Sequence, residues 1–427
     1  MVNWIWFVEK QIDKWLSLGE EPNEEEVWKV GWALGSPSKK KDYVLSRYND
    51  VFNRYLQKQC WEGLEHKVCI YSWNPRSYKR YFPVALNANG TILLFKEPDK
   101  IELLSYPITR AQDLGVRGVT LPKDKEIVEA SWRVDGWQIN FYYDTILKRW
   151  IASTKYVLHN MRWEKRRLEV ADYGEIINPY VETAMKVAET TGLLDKFKGY
   201  EGWTFTFVLL GPEPAITKPL PPDPDHYEDY ELYIVGARKP DGKLVGISEV
   251  GRMLDYKHAP IVEVDGKSIG ELLDLAKRSL EYRSMFIRFS GDDENPLIVE
   301  IPSKYYSEAM NVKYFSDPKS LVVLASEGLG DHAINIIYEG LRSDAKRLVE
   351  LYNELEKLIE EKLFNDKLRE IIGELGYKNL VGELESAKRK NTPKRFTKKL
   401  AAIISDGKVL QHAVEELGEL VEKLKRI

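Results

Sequence analysis

The sequence predicts an α+β fold in which a domain of antiparallel sheets is followed by an all-helical domain. Residues 130–156, ASWRVDGWQINFYYDTILKRWIASTKY, alternate apolar and polar side chains around a turn, which is typical of a β-hairpin. After Ser316-Asp317-Pro318 the alternation gives way to heptad-like spacing of leucines. A chain of 427 residues is long for one core, so we expect domains at 1–315 and 316–427.

Helices are expected at the N-terminal end of the first domain. Amphipathic spacing predicts helices at 3–20 and 24–34, and Pro22-Asn23 before three glutamates is a helix-start signal. A third helix is predicted from Ser38 to Trp61. Its aromatic residues are expected to face the core: Tyr43, Tyr48, Phe52 and Tyr55.

The rest of the first domain is expected to be rich in strands. Besides the hairpin, the predicted strands are Lys67–Trp73, Tyr81–Val84, Thr91–Phe95, Ile101–Leu104, Thr204–Leu210, Leu232–Ala237, Leu244–Ile247, Phe286–Phe289 and Leu297–Ile301. A helix is predicted from Pro179 to about Thr191, since proline suits a first helical turn, and another is predicted over 269–280. The proline-rich segment Pro212–Asp229 is expected to be a surface loop.

Two helices of the second domain show heptad-like spacing. Their apolar residues are Leu348, Leu351, Leu355, Leu358 and Ile359 in one helix, and Leu410, Val414, Leu417, Val421 and Leu424 in the other. Because both runs are short, packing within the domain is favoured over an intermolecular coiled coil.

Composition indicates an ordered globular protein, with 30% charged and 43% hydrophobic residues. No apolar run approaches a membrane span, and the first residues carry acids without a small-residue cleavage site, so we expect a cytoplasmic protein that does not bind membranes. Cys60 and Cys69 lack metal-ligand spacing; reduced thiols are the default, and a disulfide is the alternative for a thermophile. Abundant Lys and Glu with few Gln hint at a thermophile. The net charge of −4 leaves room for a local basic groove.

A series of segments carries a family likeness. They are YSWNPRSYKRYFPVALNANGTILLF (71–95), YPITRAQDLG (106–115), RVDG (133–136), WIASTKY (150–156), TFTFVLLGPEPAI (204–216), LYIVGARKPDGKLV (232–245) and SMFIRFSGDDENPLIVEIPSKYY (284–306). In order and spacing they resemble the phage-type RNA ligase 1 family, and Arg133-Val134-Asp135-Gly136 resembles its Lys-x-Asp-Gly signature. The resemblance covers roughly residues 60–310. It implies a nucleotidyltransferase domain of the RNA and DNA ligase adenylation type with a helical domain behind it.

The departures from the family pattern fall on its chemistry. In the family the lysine of the tetrad attacks ATP as a neutral amine, whereas Arg133 stays protonated and offers no lone pair. Other family positions that hold metal, ribose or phosphate are changed here, to Asn89, Val208, Pro214-Ala215, Arg283-Ser284 and Glu300-Ile301-Pro302. The resemblance therefore implies a degenerate member with no catalytic residue and no metal site. ATP and Mg²⁺ are expected only if another lysine is adenylated.

Some polar residues of the former nucleotide pocket survive. The predicted pocket consists of Arg110, Arg133, Asp135, Gly136, Lys155, Val208, Arg283 and Glu300. Because Arg283 and Glu300 lie on neighbouring predicted strands, we hypothesise an ion pair between them. Two unrelated surface charges are an equal alternative.

Rival motifs have structural explanations. Lys239-Pro240-Asp241-Gly242 is the only literal Lys-x-Asp-Gly, but it lies between two predicted strands. We expect a hairpin turn there, since proline sets φ and glycine accepts a positive φ. The six histidines are scattered without metal-ligand spacing.

Two basic runs are candidates for RNA contact. Their residues are Lys148, Arg149, Arg162, Lys165, Arg166 and Arg167 in the first domain, and Lys388, Arg389, Lys390, Lys394, Arg395, Lys398 and Lys399 in the second. Arginine and lysine beside tryptophan or phenylalanine suit phosphate contact with base stacking. A solvated helix face is the alternative for each run.

Together these features predict an RNA-ligase-like pseudoenzyme that binds RNA, including structured or tRNA-like RNA, or a protein partner. The first alternative is an atypical ATP-dependent RNA ligase that uses another lysine or a partner subunit. The second is a purely structural subunit of an assembly.

Overall fold

A computed structural model describes residues 3–97, 100–212, 220–377 and 379–427. The chain divides into two compact units. The first comprises residues 1–276 and 284–302, and the second comprises residues 277–283 and 303–427. The boundary that we predicted near 315 falls at the end of the helix Tyr306–Phe315, which belongs to the second unit.

The first unit combines helices with sheets. Its helices are α1 (Trp4–Ser17), α2 (Glu24–Ala33), α3 (Lys41–Asp50), α4 (Pro83–Asn87), α5 (Pro179–Thr190), α6 (Leu193–Lys196), α7 (Ile247–Leu254) and α8 (Ile269–Arg278, whose last two residues belong to the second unit). Its strands are β1 (Leu56–Glu62), β2 (Lys67–Trp73), β3 (Asn89–Glu97), β4 (Lys100–Ser105), β5 (Gln112–Asp113), β6 (Ile127–Trp132), β7 (Trp137–Asp144), β8 (Arg149–Thr154), β9 (Met161–Glu164), β10 (Arg167–Val170), β11 (Thr204–Leu210), β12 (Glu231–Arg238), β13 (Leu244–Val245), β14 (Ile261–Val262), β15 (Ser284–Phe289) and β16 (Ile298–Pro302).

The strands form four sheets. One has the order β1-β2-β3-β4, two five-stranded sheets have the orders β13-β12-β11-β7-β8 and β14-β6-β15-β16-β5, and β9 pairs with β10 alone. Apart from the short parallel pair of β16 and β5, these pairings are antiparallel. The predicted α+β class with antiparallel sheets is confirmed.

The central hairpin is confirmed as β7 and β8, with Phe141 opposite Ala152. Its turn begins at Asp144, whose carboxylate accepts hydrogen bonds from the backbone N–H groups of Ile146 and Leu147 at 2.8 Å. Because the preceding strand β6 belongs to the other five-stranded sheet, residues 133–136 form the connection between the two sheets.

One predicted helix is partly wrong. The helix expected over 38–61 ends as α3 at Asp50, continues as a π-helical turn at Val51–Tyr55, and is followed by strand β1. Pairing with β2 along its whole length overrides the helical spacing of this segment. Phe52 is buried as predicted, whereas Tyr43 is half exposed.

A second element, the predicted strand Tyr81–Val84, is wrong. Pro83 begins the short helix α4, because a proline in the first helical turn lacks only an N–H that would have no intrahelical acceptor.

The two cysteines are joined. Cys60 and Cys69 are cross-strand neighbours on β1 and β2, and a disulfide links them. The structure thus shows the disulfide, which the sequence left open as the alternative to reduced thiols.

The second unit is helical. Its helices are α9 (Tyr306–Phe315), α10 (Pro318–Ser326), α11 (Gly330–Ile336), α12 (Arg342–Lys362), α13 (Asp366–Glu374), α14 (Leu380–Lys390), α15 (Pro393–Ser405) and α16 (Leu410–Lys425). The heptad-like leucines of α12 and α16 are largely buried where these two helices meet, which confirms packing within the unit. In the described residues, no helix is both long and apolar enough to cross a membrane.

Candidate functional site

A cavity of about 380 Å³ opens among the sheets of the first unit. Residues of both five-stranded sheets line it. One of these sheets contributes Gln138 of β7, Val208 of β11 and Val235 of β12, and Gly136 lies just before β7. The other sheet contributes residues of β6, β15 and β16, namely Glu129, Ser131, Trp132, Phe286, Arg288, Ile298 and Glu300. The predicted pocket residues Arg110, Arg133, Gly136, Lys155, Val208 and Glu300 all lie in this lining. The folded chain therefore brings together residues separated by up to 190 positions.

Arg133 is fixed at the cavity by an ion pair. Its backbone N–H donates to the carbonyl of Ser284 at 3.0 Å, and its Nη1 donates to Oε1 of Glu300 at 2.7 Å. The Ser284 hydroxyl donates to the same carboxylate oxygen at 2.6 Å. Burial opposes the charge of Arg133, but attraction and hydrogen bonding to Glu300 outweigh it and raise the pKa of Arg133. This arginine is therefore held as a cation.

The hypothesised partner of Glu300 is wrong. Glu300 pairs with Arg133, and the register of β15 and β16 places Phe286 rather than Arg283 opposite it. Arg283 is exposed and belongs to the segment 277–283, which is grouped with the second unit. The prediction failed because β15 begins one residue after Arg283, at Ser284.

Arg110 supplies a second cation. Its guanidinium lies over the rings of Trp73 and Tyr81, 4.6 and 4.9 Å from their centroids, and its Nη1 donates to the carbonyl of Arg80 at 3.1 Å. Burial lowers the pKa of Arg110. An arginine stacked on two rings is well ordered, so its charge is presented to the cavity in one orientation.

Lys155 supplies a third cation and follows directly after β8. Among the described residues its Nζ has no hydrogen-bond or ion-pair partner, and the ring of Tyr156 lies 5.7 Å away. Burial first, then repulsion by Arg110 and Arg133, lowers the pKa of Lys155 from 10.5 to about 8, against the attraction of Glu300 and Asp113. An appreciable share of this amine is therefore neutral near pH 7.5.

The acids of the cavity are already engaged. Asp113 accepts hydrogen bonds from Lys79 at 2.7 Å and from Tyr81, and Glu300 is held by Arg133 and Ser284. Glu129 accepts the backbone N–H of Ile247 at 2.8 Å, and burial raises the pKa of Glu129. Among the described residues, no group of three or more His, Cys, Asp or Glu side chains could hold a metal ion. The acids present do not fit Mg²⁺ as a resident ion.

Gly136 and Val208 are two cavity residues at positions that the sequence resemblance singled out. A Cβ added at Gly136 would lie 2.2 Å from the carbonyl oxygen of Leu209, so only glycine lets the chain approach β11 this closely. Val208 presents an apolar side chain to the cavity. Asp135, between Arg133 and Gly136, contributes to the charge that stabilises the guanidinium of Arg133.

Several lining residues were missed by the sequence reading. Asp113 reaches the cavity because the two-residue strand β5 pairs in parallel with β16, opposite Glu300. Trp73 and Glu129 lie on strands distant in sequence. The two-residue strand β5 leaves no periodic signal in the sequence, so the position of Asp113 was not predicted.

The predicted RNA-binding residues lie in two kinds of structure. Arg162–Arg167 belong to the β9–β10 hairpin, so the helix-face alternative does not apply to them. Lys388–Lys390 end α14 and Lys394–Lys399 begin α15. Lys398 pairs with Glu327 at 2.7 Å and Lys399 with Glu383 at 2.5 Å.

The comparisons with known proteins gave solved structures only. No family model matches the chain, and no curated protein matches it. The chain is similar in structure to ATP-dependent RNA ligases. An archaeal ATP-dependent RNA ligase is 10% identical in one form, with 66% of this chain and 64% of that chain covered and a TM-score of 0.37. A second form is 11% identical, with 89% and 86% covered and a TM-score of 0.38.

A Naegleria gruberi RNA ligase variant with ATP and Mn is 12% identical, with 42% of this chain and 50% of that chain covered and a TM-score of 0.28. This chain thus spans about two thirds or less of two of these three neighbours.

Proposed function

We propose that this chain is an RNA-ligase-like protein that does not adenylate residue 133 and that binds a phosphate-bearing ligand in its cavity. Its role is that of a pseudoenzyme that binds RNA or a protein partner. The observation that carries the proposal is the 2.7 Å ion pair between Arg133 and Glu300. A guanidinium has no lone pair to attack phosphorus, and this one is also held by a carboxylate.

Charge supports the binding of an anion. Arg110, Arg133 and Lys155 face one cavity, where Glu300 is paired with Arg133 and Asp113 is held by Lys79 and Tyr81. Neither acid is paired with Arg110 or Lys155. Phosphate oxygens would supply the acceptor that Lys155 lacks among the described residues. Trp132 in the lining adds apolar surface to the cavity.

The same acids argue against nucleotidyl transfer at residue 133. Such transfer depends on positioning and on metal ions that neutralise the developing charge. Freeing Glu300 for a metal would leave Arg133 without its partner, and Asp113 is held by Lys79 and Tyr81. ATP is accordingly proposed as a ligand without turnover, and Mg²⁺ only as its counterion.

Covalent labelling tests the proposal. The purified chain is incubated with α-labelled ATP and Mg²⁺, and an acid-labile protein adduct is sought. We expect none, together with ATP binding in calorimetry that weakens when Arg133→Met or Lys155→Met removes a cation. Lys239→Met, in the turn of the literal Lys-x-Asp-Gly, is the matched control and should leave binding unchanged. The proposal is refuted if the chain does not bind ATP, or if a covalent adduct forms.

A second candidate is favoured by Lys155. With a pKa of about 8, about a quarter of this amine is neutral at pH 7.5, against about 0.1% for an ordinary lysine. An atypical ligase would use its lone pair to form an N–P bond to the α-phosphorus, break the bond to the β-phosphate oxygen, and release pyrophosphate and a proton. Mass spectrometry would map the adduct to Lys155. Loss of the adduct in Lys155→Met and its persistence in Arg133→Met would establish the atypical ligase.

RNA binding is proposed for both basic runs and is tested across a salt series. Affinity should fall steeply with salt and should weaken when the basic residues between Lys388 and Lys399 are neutralised. If the chain binds no RNA at low salt, the structural-subunit alternative is favoured.

A further inference from the structure

The β9–β10 hairpin is a separate two-stranded element. Among the described strands, β9 and β10 pair only with each other, and a hairpin of this kind is marginal by itself. Its base is anchored, because Asn160 and Ala171 exchange hydrogen bonds at 2.8 and 2.9 Å and Met161 is fully buried. Beyond this base the side chains are mostly exposed.

The turn of the hairpin holds two basic residues in a backbone conformation that normally favours asparagine and glycine. Lys165 and Arg166 have φ values of 44° and 72°, the left-handed conformation that two-residue hairpin turns require. Asn-Gly is the favoured pair there, because L side chains with a Cβ are strained at positive φ. Among the described non-glycine residues with positive φ, the basic ones are Lys148, Lys165 and Arg166, all from the first basic run. Folding alone does not explain two long cations at this turn.

The two faces of the hairpin differ. On one face Arg162 pairs with Glu169 at 2.7 Å, and Glu164 lies opposite Arg167. On the other face Trp163 lies opposite Leu168. Leu168 packs on the core, but Trp163 is 51% exposed and its indole has no ring or hydrogen-bond partner among the described residues.

We propose that this hairpin binds unpaired RNA, with Lys165 and Arg166 on phosphates and the Trp163 indole stacked on a base. Neither cation has an ion-pair partner among the described residues. Trp163 lies two residues before Lys165, about 7 Å along a strand. Cations beside an exposed aromatic ring form the pattern that holds single strands without sequence preference. The inference rests on the proposed function only for the choice of RNA over other polyanions.

The turn variant Lys165→Asn with Arg166→Gly tests the cations. It installs the favoured turn, so thermal stability should be unchanged or higher while binding weakens. With about 0.7 of salt slope per single-strand phosphate contact, loss of two contacts predicts about 25-fold weaker binding of labelled oligouridylate at 0.1 M salt, and a slope lower by about 1.4. Lys123→Asn with Lys125→Asn removes two exposed charges from another loop of the same unit and should leave binding within twofold. Unchanged binding in the turn variant overturns the proposal.

The stacking part has its own test. Trp163→Ala should weaken binding of oligouridylate by about 5- to 150-fold and leave binding of duplex RNA unaffected. Trp28→Ala, which removes a tryptophan that is 44% exposed on α2, is the matched control. Equal losses for single-stranded and duplex RNA, or tighter binding of an acidic peptide than of RNA, overturn it.

Failure of this proposal is distinguishable from failure of the proposed function. ATP binding in the cavity should be the same in the turn variant and in the wild type. If the wild type binds oligouridylate through the hairpin but no ATP, only the cavity proposal fails. If it binds ATP and the turn variant keeps full RNA affinity, only the hairpin proposal fails.

Discussion

Lys155 is expected to lower the stability of the first unit at neutral pH, and its replacement by methionine measures the effect. The ammonium lines the cavity without an acceptor among the described residues, and burial with repulsion from Arg110 and Arg133 lowers its pKa from 10.5 to about 8. Methionine keeps most of the aliphatic stem and removes the charge. The variant Lys155→Met therefore isolates the electrostatic contribution.

The sign follows from proton binding. Between pH 8 and 10.5 the unfolded chain holds the Lys155 proton more tightly than the folded chain does, so stability rises with pH through this window. Below pH 8 the buried Lys155 charge lowers the free energy of unfolding by its full amount, and above pH 10.5 this destabilisation is gone. The difference between 10.5 and about 8 corresponds to ~3.4 kcal/mol at about 1.36 kcal/mol per pH unit. The side chain is half-buried, and solvent screening reduces the penalty to roughly 2–3 kcal/mol.

Urea unfolding at two pH values is the assay. At pH 7 the free energy of unfolding of Lys155→Met should exceed that of the wild type by roughly 2–3 kcal/mol, and by less than about 1 kcal/mol at pH 10. Lys125→Met, which replaces an exposed lysine of the same unit, should show no pH-dependent difference. A variant no more stable than the wild type at pH 7, or a gain that persists at pH 10, would refute the reasoning. A confirmed gain would mean that the chain retains Lys155 at a cost in stability, as expected of a binding or reacting group.

Two further substitutions test what holds the cavity together. Arg238 is fully buried and donates to the carbonyls of Pro107, Gly242 and Glu294 and to the Thr109 hydroxyl, so Arg238→Met should lower the free energy of unfolding by about 3–5 kcal/mol in urea titrations. Arg238→Lys keeps the charge but not the set of guanidinium hydrogen bonds, so it should lower the free energy of unfolding by nearly as much. If neither variant changes the free energy of unfolding, this account is contradicted. Gly136→Ala should cost about 1–3 kcal/mol and weaken ATP binding, because its Cβ would force the chain away from Leu209. Gly174→Ala, with open space around its Cβ, should change neither quantity, and equal effects of the two would rule out the steric explanation.

Much of the fold was predictable because its signals are local. Alternating side chains predicted the strands that became β7 and β8, and a proline suited to a first helical turn predicted α5. The segment 38–61 was misread since its helical spacing of aromatic residues competes with a pairing partner, β2, that lies outside any local window. Residues 213–216, which include the Pro214-Ala215 that departs from the resembled family pattern, lie outside the described residues.

The sequence by itself determined that residue 133, which the resemblance aligns with a lysine nucleophile, is an arginine, since that is a matter of residue identity. Only the tertiary structure decided what the arginine does. Its partner Glu300 lies 167 positions away and is chosen by the register of β15 and β16, not by the strand neighbour Arg283 that the sequence suggested. The lowered pKa of Lys155 likewise depends on burial and on charges brought from other strands. Electrostatic interactions act through space, so the chemistry of this cavity is set by the fold that gathers its residues.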